Sequence, residues 1–177
     1  AVMIVQSGVR RGLVDGHYNR RREDCEAAAR ALQLPSLRLA TVEALQSDSI
    51  DPITARRARH VVDEIDRVRQ AVAAIERDDI FTLGDLMRAS HASLRDQFEV
   101  SEANVDRLAD LLNETIGNRG GARMTGGGFG GAVVAVLPLA ETARVRARIE
   151  ADYAPPSGAP LEIMVEQTGR VLAGECE

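Results

Sequence analysis

The chain has 177 residues, 45% of them hydrophobic, which is enough for one compact domain with an apolar core and too few for two large ones. All 22 basic residues are arginine, and the 27 Asp and Glu set against them leave a formal net charge of −5. The missing lysine excludes a Schiff base, a pyridoxal-phosphate anchor and a P-loop ending in Gly-Lys-Ser/Thr. A pI near 5.3 and 3% aromatic residues argue against a general nucleic-acid binder, which needs basic excess or stacking platforms.

Cys25 and Cys176 lie far apart in sequence and form neither a disulfide framework nor a Cys-x-x-Cys metal pair, so a reducing, cytoplasmic setting is expected. No apolar run approaches the roughly 18 residues of a membrane span. The chain opens directly with a strand, Val2 to Val5, without a leader or turn, which points to a trimmed or processed start.

Asp15 is a candidate cap for a helix running to about Leu32, with Cys25, Ala28, Ala29 and Leu32 on one face, and Leu34-Pro35-Ser36 stops it. A longer helix is predicted over 53–77, where Ala58, Val61, Val62, Ile65, Val68, Val72 and Ile75 recur every three or four residues. On its outer face Arg59 with Asp63 and His60 with Glu64 form i, i+4 pairs. A third helix is expected over 83–98, with Leu83, Met87, Ser90, His91 and Leu94 at helical spacing. Ser101 is a credible N-cap for a fourth, striped by Val105, Leu108, Leu112 and Ile116 and closed by Gly117.

Eight of the 15 glycines fall between Gly117 and Gly131, and the composition then changes abruptly to the apolar strand Ala132-Val133-Val134-Ala135-Val136-Leu137. A helix is predicted over 143–153, then a turn at Pro155-Pro156-Ser157-Gly158, then strands over 161–165 and 171–173. This order describes a single α+β domain over 1–177, a small sheet with helices packed against it.

The strongest local signal is Arg123-Met124-Thr125-Gly126-Gly127-Gly128-Phe129-Gly130-Gly131, with five glycines in six positions running into a strand. Such backbone takes positive φ freely, its successive amides can form an anion-binding nest, and Arg123 adds a positive charge. A flexible hairpin or close-packed strand entry would produce the same composition. The stretch Ser90-His91-Ala92-Ser93-Leu94-Arg95-Asp96 invites a hydrolase reading, but helical spacing points the serines away from Asp96. A packed, hydrogen-bonded histidine is the expected role of His91. Two basic clusters, Arg20-Arg21-Arg22 and Arg56-Arg57-Ala58-Arg59-His60, are each followed by acids and should be neutralised mostly in surface pairs. Tyr18 starts the first helix, where it either faces a cleft or packs with a wet hydroxyl. No metal cluster or nucleophile with its base emerges, so the residues alone describe a ligand-contacting accessory domain.

Four blocks together resemble the C-terminal part of the galactokinase family within the GHMP kinase superfamily. They are Asn19-Arg20-Arg21-Arg22-Glu23-Asp24-Cys25-Glu26, Arg56-Arg57-Ala58-Arg59-His60-Val61-Val62-Asp63-Glu64, the stretch 90–101, and Arg123 to Gly131, which is similar to the third GHMP motif. Where relatives carry Asn and His this chain has Gly8 and Arg11, and where they carry Cys it has Glu102 and Ala132. The resemblance implies a ferredoxin-like antiparallel sheet with extra inserted helices. It also implies ATP-dependent, magnesium-assisted phosphorylation of galactose, with Tyr18 hydrogen-bonding the sugar. Gly126, Gly127, Gly128, Phe129, Gly130 and Gly131 would line the cleft, flanked by Arg123 and Thr125. In that family the catalytic groups and the main ligands of ATP and Mg2+ belong to an N-terminal domain. This chain, lacking that domain, is expected to be inactive alone and prone to self-association through the face left open. A galactose or nucleotide sensor, and a kinase for N-acetylgalactosamine, are the competing readings.

Overall fold

The computed structural model describes residues 1–9 and 15–167. Strand β1 (Val2–Gln6) is followed by four helices, α1 (Asp15–Ala31), α2 (Pro52–Glu76), α3 (Ile80–Asp96) and α4 (Ala103–Ile116). Then come β2 (Gly121–Thr125), β3 (Ala132–Val136), α5 (Thr142–Asp152) and β4 (Ile163–Glu166). The sheet order is β2-β3-β1-β4 with every neighbour antiparallel. This is the expected ferredoxin-like arrangement: α5 makes the second crossover, and the first is expanded into α1 to α4.

Alternation of side chains across the pleat selects the buried face. Met3 and Val5 of β1, Ala122 and Met124 of β2, and Val133 and Ala135 of β3 are all buried. They join Val105, Leu108 and Leu112 of α4 and Val145 and Ile149 of α5 in the principal core. A second apolar cluster unites Ala28 and Ala29 of α1 with Ala58 of α2 and with Leu37, Leu45 and Ile50 from the connection between those helices. Cys25 packs against this second cluster, and burial pushes its thiol up to about 11, as suits an inert packing residue.

Helix ends follow local chemistry. Asp51 Oδ1 accepts from the Ile53 and Thr54 amides at 3.0 Å, with Pro52 at the first helical position, so α2 starts one residue before the predicted 53. Asp79 caps α3 in the same way, accepting from the Thr82 amide at 3.0 Å and from its hydroxyl at 2.6 Å. The cap of α4 is Glu102 and not Ser101: Glu102 accepts from the Asn104 amide at 2.9 Å, while the Ser101 hydroxyl is spent on Asp106. The proposed capping by Asp15 rests on a side chain outside the described residues, as do the 171–173 strand and Cys176.

The apolar repeat of α2 is only partly buried. Ala58 is enclosed, but Val68, Val72 and Ile75 are 52–60% exposed, along with Phe81 of α3. Helix α3 lies against β2 at unusually short range because Gly84 and Gly121 meet backbone to backbone. A Cβ on Gly84 would stand 2.0 Å from the Gly120 carbonyl oxygen, and one on Gly121 would stand 2.4 Å from that of Gly84.

Candidate functional site

The stretch read as a glycine loop is a hairpin whose first arm is itself a strand. Arg123 and Thr125 belong to β2, and residues 126–131 connect it to β3. Thr125, Gly126 and Gly127 are exposed, while Gly128 and Gly130 are buried. The connection turns outward at its tip and docks on its return. Phe129 takes φ +58, a left-handed value for a non-glycine residue, and its amide donates to the Val100 carbonyl at 2.7 Å. Gly128, at φ +84, makes that docking fit: a Cβ there would lie 2.4 Å from the Val100 carbonyl oxygen. At the other end, Ser7 donates its amide at 2.9 Å and its hydroxyl at 2.6 Å to the Gly131 carbonyl.

Arg123 is aimed away from the tip. Its Nη1 reaches Glu64 Oε2 at 3.4 Å and its Nε donates to the Met124 carbonyl at 3.1 Å. Glu64 also accepts from the Ser90 hydroxyl at 2.7 Å and from Arg67. These donors hold its carboxyl below the usual range even though burial pushes the other way. This network braces α2, α3 and β2 behind the hairpin.

His60 and His91 each have structural partners. His91 is buried and its Nδ1 accepts from the Met124 amide at 3.2 Å. Ser93 contacts His60 Nδ1 at 2.8 Å, and the His60 ring stacks on Phe98 with centroids 4.5 Å apart. The serines of this block bond Glu64, His60 and Gln97, so the packed-histidine reading holds over the hydrolase one.

The basic clusters behave differently from expectation. Arg22 with Glu26 and Arg59 with Asp63 are the anticipated surface pairs. Arg21 and Arg57, however, are largely buried, and their partners come from other elements. Arg57 binds Asp24 across the α1/α2 contact and reaches Glu99 Oε2 at 3.1 Å. Arg56 reaches Glu99 Oε1 at 2.8 Å. Arg21 donates from Nε to the Phe98 carbonyl and from Nη2 to the Glu99 carbonyl at 2.9 Å. Sequence spacing held the clue, since Arg21 lies four residues before Cys25 on the face that buries Ala28 and Ala29.

Tyr18 is 60% exposed on α1, one turn before Arg21. The helix of Tyr18 and the glycine hairpin therefore dock on one segment, residues 97–100, from two sides. A depression of about 220 Å³ at the hairpin's base is lined by Gly8, Val9, Gly131, Pro155 and Ser157 among others, and Tyr18 is not in its wall. Among the described residues there is no group of three or more His, Cys, Asp or Glu side chains that could hold a metal ion. No helix among the described residues is long and apolar enough to cross a membrane.

Residues 71–155 match the family model described as GHMP kinases C terminal, so that stretch of the chain is a GHMP kinase C-terminal domain. Within that class its fold matches galactokinase. The crystal structure of Lactococcus lactis galactokinase complexed with galactose superposes with a TM-score of 0.84 at 31% identity, covering 95% of this chain and 45% of that one. L. major mevalonate kinase in complex with R-mevalonate superposes with a TM-score of 0.57 at 18% identity, covering 92% and 40%, a likeness of fold alone. The chain spans less than half the length of these solved relatives.

Proposed function

We propose that this chain is the C-terminal part of a cytoplasmic galactokinase. The reaction transfers the γ-phosphoryl group of ATP to the anomeric hydroxyl of α-D-galactose, giving galactose 1-phosphate and ADP. The observation that carries this reading is the 31% identity over nearly the whole chain to a galactokinase crystallised with galactose. In the proposed site the exposed Tyr18 hydroxyl hydrogen-bonds the sugar, and the outward tip of the hairpin, Thr125 to Gly127, lines the phosphate side of the cleft. The catalytic groups and the ligands of ATP and magnesium come from the part of such an enzyme that this chain does not span. Here the protein's contribution is positioning, which suits a site built of backbone and one phenol.

Calorimetric titration with galactose tests the reading, together with ADP release in the presence of ATP and Mg2+. The expected result is galactose binding at millimolar affinity or weaker, since part of the contact set is missing, and no turnover. Turnover at about 1–10³ s⁻¹ would contradict the inactivity of the chain alone. Sub-micromolar binding would mark a sensor, and tighter binding of N-acetylgalactosamine than of galactose would reassign the sugar.

A further inference from the structure

Three consecutive carbonyls of the segment joining α3 to α4 are each claimed from elsewhere in the fold. Those of Phe98 and Glu99 accept from the Arg21 guanidinium on α1, and that of Val100 accepts from the Phe129 amide of the hairpin. Glu99 holds the segment in shape. It takes φ +56, an unfavourable value for a side chain with a Cβ, while Arg56 and Arg57 grip its carboxylate. The three carbonyls lie on successive planar peptide units, so their relative directions are set by the φ and ψ of Glu99 and Val100 between them.

Arg21 is only 6% exposed, and removing a guanidinium from water is costly unless its donors are met. Its planar fork meets two carbonyls at a fixed angle, which a flexible ammonium could not reproduce. Tyr18 lies three residues earlier, one turn along the same helix, about 4.5 Å of axial rise.

We propose that Arg21 is a positioning residue that fixes the turn carrying Tyr18 relative to the hairpin 126–131, acting through the segment 97–100. The proposal rests on the reading of Tyr18 and the hairpin as two walls of a sugar site. It makes the first basic block part of the site's framework, without contact to sugar or phosphate.

Amide exchange followed by NMR in the 177-residue chain tests it, with Arg21→Lys and Arg21→Met beside the parent. Loss of the fork should speed exchange of the Phe129 amide about ten- to a hundredfold, the scale of losing hydrogen bonds to a charged group. The Met124 amide, held by His91 on the same hairpin, should keep its rate in both variants. Conversely, Gly128→Ala should shift the Tyr18 amide resonance in the parent and leave it unmoved when combined with Arg21→Met. An unchanged Phe129 rate overturns the proposal, and so does equal acceleration at Met124, which would report a general loosening. Galactose titration of the parent separates the two readings. If no resonance of Tyr18 or 126–131 responds, the sugar site fails, and the exchange rates still decide whether Arg21 couples the two elements.

Discussion

The imidazole of His91 accepts a hydrogen bond from the backbone amide of Met124, 3.2 Å from Nδ1, and this contact fixes where the ring carries its proton. A backbone N–H can only donate, so Nδ1 is bare and the neutral ring is protonated on Nε2, which lies 3.3 Å from Asp106 Oδ1. Protonating Nδ1 would break the tie between α3 and β2. Burial depresses the pKa of His91, against the pull of Asp106 and Asp110, and burial pushes His60 down to about 4.

A pH dependence follows with a definite sign. Both histidines are neutral in the fold and titrate near 6.5 once unfolded, so their stabilisation is complete above pH 6.5 and is lost as pH falls below it. For His60 the slope approaches about 1.4 kcal/mol per pH unit between roughly 6 and 4. Denaturant midpoints at pH 7.5, 6.5 and 5.5 should decline over the last step, above the range where the carboxylates titrate. Histidine Cε1 resonances of both residues titrating near 6.5 in the folded protein would contradict this.

Two glycine substitutions should have opposite signs. Gly128→Ala places a Cβ against the Val100 carbonyl at a left-handed backbone position, and should destabilise the chain by about 2 kcal/mol or more. Gly16→Ala falls in α1 with nothing within 4 Å of the new Cβ, and should stabilise by up to about 1 kcal/mol. Thermal melting of the two variants beside the parent checks the pair.

The two blocks of basic residues also predict a contrast. Asp24→Ala takes one of two carboxylate partners from the largely buried Arg57, leaving Glu99 on Nη2, and should cost about 2 kcal/mol. Glu26→Ala removes exposed partners of Arg22 and Arg30 and should cost less than about 1 kcal/mol. Urea unfolding of both measures the difference. Equal costs would mean that the existing Glu99 contact satisfies Arg57 without Asp24.

The apolar row of Val68, Val72 and Ile75, more than half exposed beside Phe81, should make the chain self-associate as concentration rises. Sedimentation at tens of micromolar is expected to show a concentration-dependent species, diminished by Val72→Lys. A strictly monomeric parent would count against an associating face here.

How much of this could be read from residues alone varied with the range of the interaction. Helical periodicity found the five α-helices of the described residues, because apolar residues recurring every three or four positions mark one face of an element, whether it is buried or, as in the second half of α2, left open. Their starts were less legible: Asp51-Pro52 and Asp79-x-x-Thr82 are cap signatures that apolar spacing alone passes over. Strand β2 was hidden, since Gly121-Ala122-Arg123-Met124-Thr125 merges into the glycine run and owes its pairing to β3, not to its own propensity. The hairpin was found as a composition, while its docking on Val100 depends on a residue more than 25 positions away. Arg21 and Arg57 were misjudged for the same reason, as local acids were available and the actual partners, Asp24 and residues 98–99, came from neighbouring turns of the fold. The fork of Arg21 cannot be deduced from a run of three arginines.

The place of β1 in the sheet has a consequence for how the molecule assembles. It is the second strand from one edge, and its two partners are the last strands of the described chain, with Val2 opposite Val136 and Glu166. A ribosome therefore releases Val2 to Gln6 long before either neighbour exists. Until residues 132–166 emerge, β1 has two bare edges, and the helices made in between must hold without the sheet. Closing such distant pairs is entropically slow, so assembly should be limited by the final third of the chain. A nascent chain stalled before Ala132 would present an unpaired apolar strand to whatever else is being made nearby.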